Sequence, residues 1–150
     1  MAIDITLLKQ LREETGAGVM DVRRALDESA GDVKKAREWI REHAIKTADK
    51  KADRETHEGY IGSYVHTTGK VAALVALACE TDFVARTSDF TTLAREVAMQ
   101  VASMQPENVD ELLAQAYIRD PKKTIKDLIK ETAGKLGENI VVKEISRIGL

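Results

Sequence analysis

The side chains best able to do chemistry in this sequence are three histidines and one cysteine, and their spacing argues against both metal binding and nucleophilic catalysis. His43, His57 and His66 fall on different expected elements, whereas a zinc site needs ligands gathered at short spacings. Cys79 could approach His66 across an expected hairpin and so acquire a base. It also closes a continuous apolar run, Val71 to Cys79, and a small buried hydrophobe accounts for it better. A phosphate-cradling loop needs Gly-Lys followed by Ser or Thr, with another glycine upstream, so that backbone amides surround the phosphates and the hydroxyl reaches magnesium. Gly69-Lys70 runs into Val71 and Gly134-Lys135 into Leu136, so these glycines read as a turn and a helix stop. Carboxylates are spread over helical surfaces, with no acid and base pair to single out. No enzyme activity, metal or cofactor is expected.

Two short segments resist so plain an account. Glu80-Thr81-Asp82-Phe83-Val84-Ala85-Arg86-Thr87 follows the apolar run and precedes a helical pattern, which places Asp82 and Phe83 at an exposed strand-to-helix corner. Two arrangements fit. Either Asp82 caps the next turn while Phe83 folds back on the core, or Phe83 protrudes as an aromatic anchor with a carboxylate beside it, suited to a pocket on a partner protein. In Thr15-Gly16-Ala17-Gly18-Val19-Met20, the adjacent Val19 and Met20 cannot both point inward from an ordinary amphipathic helix. One of them is expected at the surface, as a docking knob or as ordinary apolar exposure.

The elements that must position these segments follow from composition and periodicity. With 150 residues, 43% of them hydrophobic, the chain can fill one sizeable core or two small ones. Only six aromatics are present (two Phe, one Trp, three Tyr), so Ala, Val, Ile and Leu must build the interior. Lys and Arg total 23 against 25 Asp and Glu, a net charge of −2 that provides no bulk attraction to nucleic acid. A local basic patch from Lys46, Lys50, Lys51 and Arg54 would be the remaining route to it. The longest apolar run, Val71 to Cys79, is far shorter than the roughly 20 residues of a membrane-spanning helix, so no membrane partner is expected. The N-terminus lacks a basic start and a cleavage site, and the lone cysteine fits a reducing compartment; the cytoplasm is the expected location.

The chain reads as α+β. Residues 1–45 carry three short helical stripes, with Gly31 as a left-handed stop and Asp32 as a cap, and form a three-helix unit. Residues 46–58, KTADKKADRETHE, hold no large aliphatic side chain and read as a charged linker, one that a helix could enter. Residues 59–150 form an α+β core with about three antiparallel strands and helices on one face. Gly59 to His66 and the apolar run pair through a turn at Thr67-Thr68-Gly69-Lys70, the second strand being central and covered on both faces. Ser88 or Asp89 caps a helix that ends near Gln105, before Pro106, and a second helical pattern runs from Val109 to Tyr117. Pro121 starts a further helix, broken by Gly134 and Gly137, and Asn139 to Ile148 reads as the last strand.

With these motifs in this order, the chain resembles the translation elongation factor Ts family, the guanine-nucleotide exchange factors of elongation factor Tu, over nearly its whole length. Leu11 to Val22, then Ala25-Leu26 and Gly31-Asp32, resemble the family's ubiquitin-associated-like N-terminal module. Glu80 to Arg86 resembles the core signature, and Gly137-Glu138-Asn139-Ile140 the start of the last strand. The resemblance implies that Arg12, Val19, Met20 and Arg23 dock on the GTP-binding domain of elongation factor Tu. It implies also that Thr81, Asp82, Phe83 and Val84 press on that domain near its magnesium and phosphate site, with Phe83 as the wedge and Gln100 as a further contact. Val19 stands where a methionine is frequent in the family, a change of similar volume. The stretch between Pro106 and Pro121 is much shorter than in longer members, and no distal module is expected after Leu150. Short members resemble half of a duplicated core, so a homodimer could restore the other half. A docking module that lacks exchange activity is the alternative reading.

Overall fold

The computed structural model describes residues 2–150; Met1, the first residue of the expected three-helix unit, lies outside them. Three helices open the chain: α1 (Ile5–Thr15), α2 (Val19–Glu28) and α3 (Val33–Asp49). Asp4 caps α1 by accepting from the Thr6 amide, and Asp32 caps α3 by accepting from the Lys35 amide. Ala30 and Gly31 both take positive φ where α2 ends. The three stripes converge on one buried cluster of Leu11, Val22, Ala25, Leu26, Ala36 and Ile40.

The charged stretch from Lys46 does not begin as a separate connector. It starts inside α3, and Ala48 is buried within the larger cluster of the second region. A small side chain on a helix already held against a neighbour closes that contact without any large aliphatic group, which is why side-chain size alone misses it.

That larger cluster lies beneath a sheet of order β1-β2-β5, all antiparallel: β1 (Glu58–Val65), β2 (Val71–Cys79) and β5 (Val141–Gly149). Helices α4 (Asp82–Ala85), α5 (Ser88–Met104), α6 (Val109–Ala114) and α7 (Ile125–Leu136) complete it, with a small ribbon of β3 (Ala116–Tyr117) and β4 (Asp120–Thr124) before α7. Ala73, Val75, Leu77 and Cys79 point from β2 into the core. The opposite face is open, because Leu74 is 51% exposed, so the expected cover on both faces of β2 is not found. An apolar run tells how hydrophobic a strand is; it does not tell how many layers the chain has left to cover it.

Several helix boundaries differ from the sequence reading for local reasons. Thr87, one residue before the expected caps, accepts from the Phe90 amide and opens α5. The pattern from Val109 stops at Ala114, and Tyr117 belongs to β3, its hydroxyl donating to Glu96 Oε2 at 2.5 Å. Pro121 lies in β4, and α7 begins four residues later, where Thr124 and Asp127 cap each other's amides reciprocally. Proline suits an extended strand as well as a first helical turn, whereas a reciprocal cap specifies a helix start. Gly137 ends α7, but Gly134 lies inside it.

Gly134 is there because α3 and α7 cross closely: a Cβ at this position would fall 2.0 Å from the Ala44 carbonyl oxygen. The roughly 1 kcal/mol that glycine costs a helix is offset by a backbone contact no other residue allows. Arg41 of α3 pairs with Glu131 of α7, and Lys130 with Asp49, beside the same crossing. Gly134→Val is therefore expected to destabilise the protein by at least about 2 kcal/mol through overpacking, read as a lowered denaturant midpoint.

Burial is the main cause that pushes the Cys79 thiol up to about 11, reinforced by the carboxylates of Glu138, Glu58 and Glu80. A folded-state value above the ordinary 9.0 means that the thiol's contribution to stability is complete below pH 9 and is lost as pH rises toward 11. Cys79→Ala should flatten stability against pH in that window, and iodoacetamide at pH 8 should alkylate the unfolded chain and spare the folded one.

Candidate protein-docking site

The end of β2 turns at Glu80 and Thr81 into the single turn of α4. Thr81 caps it, its Oγ1 accepting from the Val84 amide at 3.3 Å. Asp82 therefore does not cap; it occupies the first helical position and pairs with Arg86 at the surface. Val84, expected to press on a partner, is only 5% exposed and is buried with Ala85 in the core, so its reading as a contact is corrected: it anchors the turn from below. Phe83, on the outward side, is 79% exposed, so the arrangement in which it folds back on the core is excluded. Burying a phenylalanine contributes about 1.5–3 kcal/mol, so this position forgoes most of the stabilisation that such a ring could provide.

Glu138, in the turn between α7 and β5, accepts at Oε1 from the Glu80 amide (3.1 Å) and the Thr81 amide (2.9 Å), and at Oε2 from the Thr81 hydroxyl (2.7 Å). In return Glu80 Oε2 accepts from the Asn139 amide at 2.7 Å, and the buried Asn139 side chain donates to the carbonyls of Ala52 (3.2 Å) and Arg54 (2.8 Å). The two sequence motifs, 57 residues apart at Thr81 and Glu138, thus meet in one hydrogen-bonded junction. Spacing along the chain carried no sign of that contact.

On the N-terminal helices both Val19 (41% exposed) and Met20 (61%) face solvent, where one was expected to. Gly18 begins α2 without a side-chain cap, which leaves this pair at the helix's first turn and free of covering residues. Arg23 is one turn further along α2 and Arg12 is in the last turn of α1; both are exposed, and neither forms an ion pair among the described residues. Apolar side chains flanked by free guanidinium groups make a surface suited to a protein partner.

Gln100 is a different case. It is fully buried on α5, its amide donating to Gln115 Oε1 (3.2 Å) and the Ala116 carbonyl (3.0 Å) and accepting from the Ile118 amide (3.1 Å). No partner can touch it in this arrangement, so the reading of Gln100 as a contact residue is corrected: it holds the β3 ribbon against α5. A glutamine on an apolar helix face is ambiguous from sequence, because the same residue serves a surface contact or a satisfied core position.

The one cysteine and the nearest histidine in the hairpin are held apart. Cys79 pairs with Glu58 at one end of the hairpin, whereas His66 lies at the other, bonded to Val71, so the thiol and imidazole do not meet. Among the described residues no group of three or more His, Cys, Asp or Glu side chains is arranged to hold a metal, and no helix is long and apolar enough to cross a membrane. The cleft between α3, α7 and the α1–α2 turn is lined by charged groups that neutralise one another, Arg37 on Glu14 and Arg41 on Glu131.

Residues 80–149 match the family model described as Elongation factor TS. The elongation factor Ts of Nitratidesulfovibrio vulgaris is 39% identical over 195 aligned positions, covering 100% of this chain and 98% of the relative. That of Oleidesulfovibrio alaskensis is 40% identical over 194 positions, covering 99% and 98%. That of Rubrobacter xylanophilus is 40% identical over 195 positions, covering 100% of each. These alignments are longer than the 150-residue chain, so the relatives carry residues inside the matched region that this chain lacks. With its helical N-terminal region, its three-stranded sheet and the Thr81-Asp82-Phe83 corner all within that match, the chain belongs to the elongation factor Ts family of translation elongation factors.

Proposed function

We propose that this protein is a guanine-nucleotide exchange factor that binds elongation factor Tu in the cytoplasm and promotes GDP release by disturbing its magnesium and phosphate site. The observation that carries the reading is Phe83: a large aromatic side chain held outward on a short, core-anchored turn, beside the Asp82 carboxylate. A factor of this kind needs no nucleophile or metal of its own. If it binds the nucleotide-free partner more tightly than the nucleotide-bound one, linkage requires it to weaken nucleotide binding by the same factor. Magnesium and phosphate contacts hold the nucleotide in such partners, so an aromatic wedge and a carboxylate pressed against them provide the differential interaction. The N-terminal helices, residues 1–45, supply a second docking surface through Arg12, Val19, Met20 and Arg23, and residues 59–150 carry the wedge.

A second copy of the chain is proposed to cover the open sheet face. Val65 lies across from Ala72, and Ala72 across from Ile148, so one apolar row crosses all three strands. Val65 is 66%, Leu74 51% and Ile148 73% exposed, so this row of the sheet is apolar and unpartnered. Its burial in a dimer would be favourable at about 25 cal/mol per Å².

Phe83→Ala should lower the maximal rate of GDP-analogue release from elongation factor Tu by about tenfold or more, the scale of a hot-spot residue, with the circular dichroism spectrum unchanged. Met20→Ala should instead raise the concentration needed for half-maximal release and leave the maximal rate nearly intact. Complex formation without acceleration by the intact chain would favour the docking-only alternative. Leu74→Lys together with Ile148→Glu should convert a dimer to a folded monomer in sedimentation equilibrium; an already monomeric parent would refute the dimer.

A further inference from the structure

Phe83 cannot hold itself in place, because an exposed ring has few neighbours to pack against, and four residues of helix are too short to be stable alone. Its direction must be set by whatever fixes the start of α4. Val84 and Ala85 tie the turn to the core from beneath, but burial is non-directional and leaves the tilt of the turn free. The Asp82–Arg86 pair is fully at the surface and contributes little. The Cys79 thiol donates to the Thr81 carbonyl and the Thr87 hydroxyl to the Val84 carbonyl, which ties the turn to its neighbours in sequence; the directional restraints that reach it from a distant element are those of Glu138. Its carboxylate accepts from two consecutive amides and one hydroxyl, and hydrogen bonds to an ionised acceptor are stronger than neutral ones.

The Thr81 hydroxyl links that carboxylate to the helix. With its proton donated to Glu138 Oε2, its lone pairs are left for the Val84 amide, which makes it an acceptor at the cap. Glu138 in turn is delivered by the α7–β5 turn, where Gly137 takes φ 77° and Asn139 is bonded on both sides, to Glu80 and to the chain at Ala52 and Arg54. The α7–β5 turn thus reaches across to the base of the turn that carries Phe83.

We propose that Glu138 is a positioning residue for nucleotide exchange: through the amides of Glu80 and Thr81 and the Thr81 hydroxyl it aims Phe83 at the partner. The proposal rests on the exchange reading above and names the group on which its wedge depends. Small displacements of a group that must meet a developing arrangement in a partner are costly in rate, even where binding elsewhere is kept.

The test measures release of a fluorescent GDP analogue from elongation factor Tu by the full chain and by Glu138→Ala, Phe83→Ala and the double variant, each confirmed folded by circular dichroism. Thr81 is exposed, so water can replace the lost acceptor and Glu138→Ala should fold. The expected result is a maximal rate reduced severalfold to tenfold by Glu138→Ala, with a half-saturating concentration within threefold of the parent. No further loss should appear when it is added to Phe83→Ala, because the two act through one group. Glu138→Gln, which keeps the side-chain length and an acceptor oxygen, should lose less than Glu138→Ala; Thr81→Val, which removes both the link to Glu138 and the cap on the Val84 amide, should show a loss of the same kind and carries the test if Glu138→Ala does not fold. A parental maximal rate in Glu138→Ala and Thr81→Val, or a Glu138→Ala penalty that adds in full to Phe83→Ala, would overturn the positioning role while leaving exchange established. An intact chain that does not accelerate release would overturn the exchange reading, and the positioning role with it.

Discussion

The backbone approach of Ala44 to Gly134 is the constraint on which the rest of the molecule depends. Two separate buried clusters, one within the N-terminal helices and one under the sheet, would otherwise be joined only by a polar stretch. Because α3 continues to Asp49 and lies against α7 with no side chain between the two backbones at Gly134, the N-terminal helices are carried on the core rather than tethered to it. Ala48 then enters the larger core, and Lys51 donates to the Gly137 carbonyl at 3.0 Å, extending the junction to the turn that follows α7. Packing at this density leaves little freedom for sliding, so the surfaces at either side of the crossing keep a set relation.

From that crossing outward the molecule alternates between places where apolar groups are covered and places where they are left open. The core side of β2 is fully buried, while its other side presents Leu74; the base of α4 is buried, while Phe83 stands clear. Hydrophobic surface left in water in this pattern forgoes stabilisation that burial would otherwise provide. The polar groups follow a complementary rule. Those at the turns, Thr81, Glu138 and Asn139, are satisfied by short chains of hydrogen bonds, as is Gln100 within α5, which makes the connections between elements as definite as the elements.

Much of this was legible along the chain. Asp32 as a cap, the hairpin turn before Val71 and the stop before Pro106 each depend on residues within a few positions of one another, and local sterics and hydrogen bonding decide them. The reading failed where two local signals competed or where the deciding partner was distant. Pro121 suits both a strand and a helix start, and the Thr124–Asp127 reciprocal cap outweighed it. Gly134 looked like a stop and is a contact, because the residue that requires it, Ala44, is 90 positions earlier.

What the amino-acid sequence determined by itself is the α+β class, the order of the elements apart from the β3–β4 ribbon, and the corner at Asp82 and Phe83. These follow from periodicity, turn chemistry and motif, all of which act over short stretches of chain. Only the tertiary structure decided which way that corner faces. It put Phe83 in water and Gln100 in the core, brought Glu138 under Thr81, and left one face of the sheet bare. The physical reason is that side-chain exposure is set by which other elements arrive to cover a residue, and that is a property of long-range packing with no counterpart in local sequence.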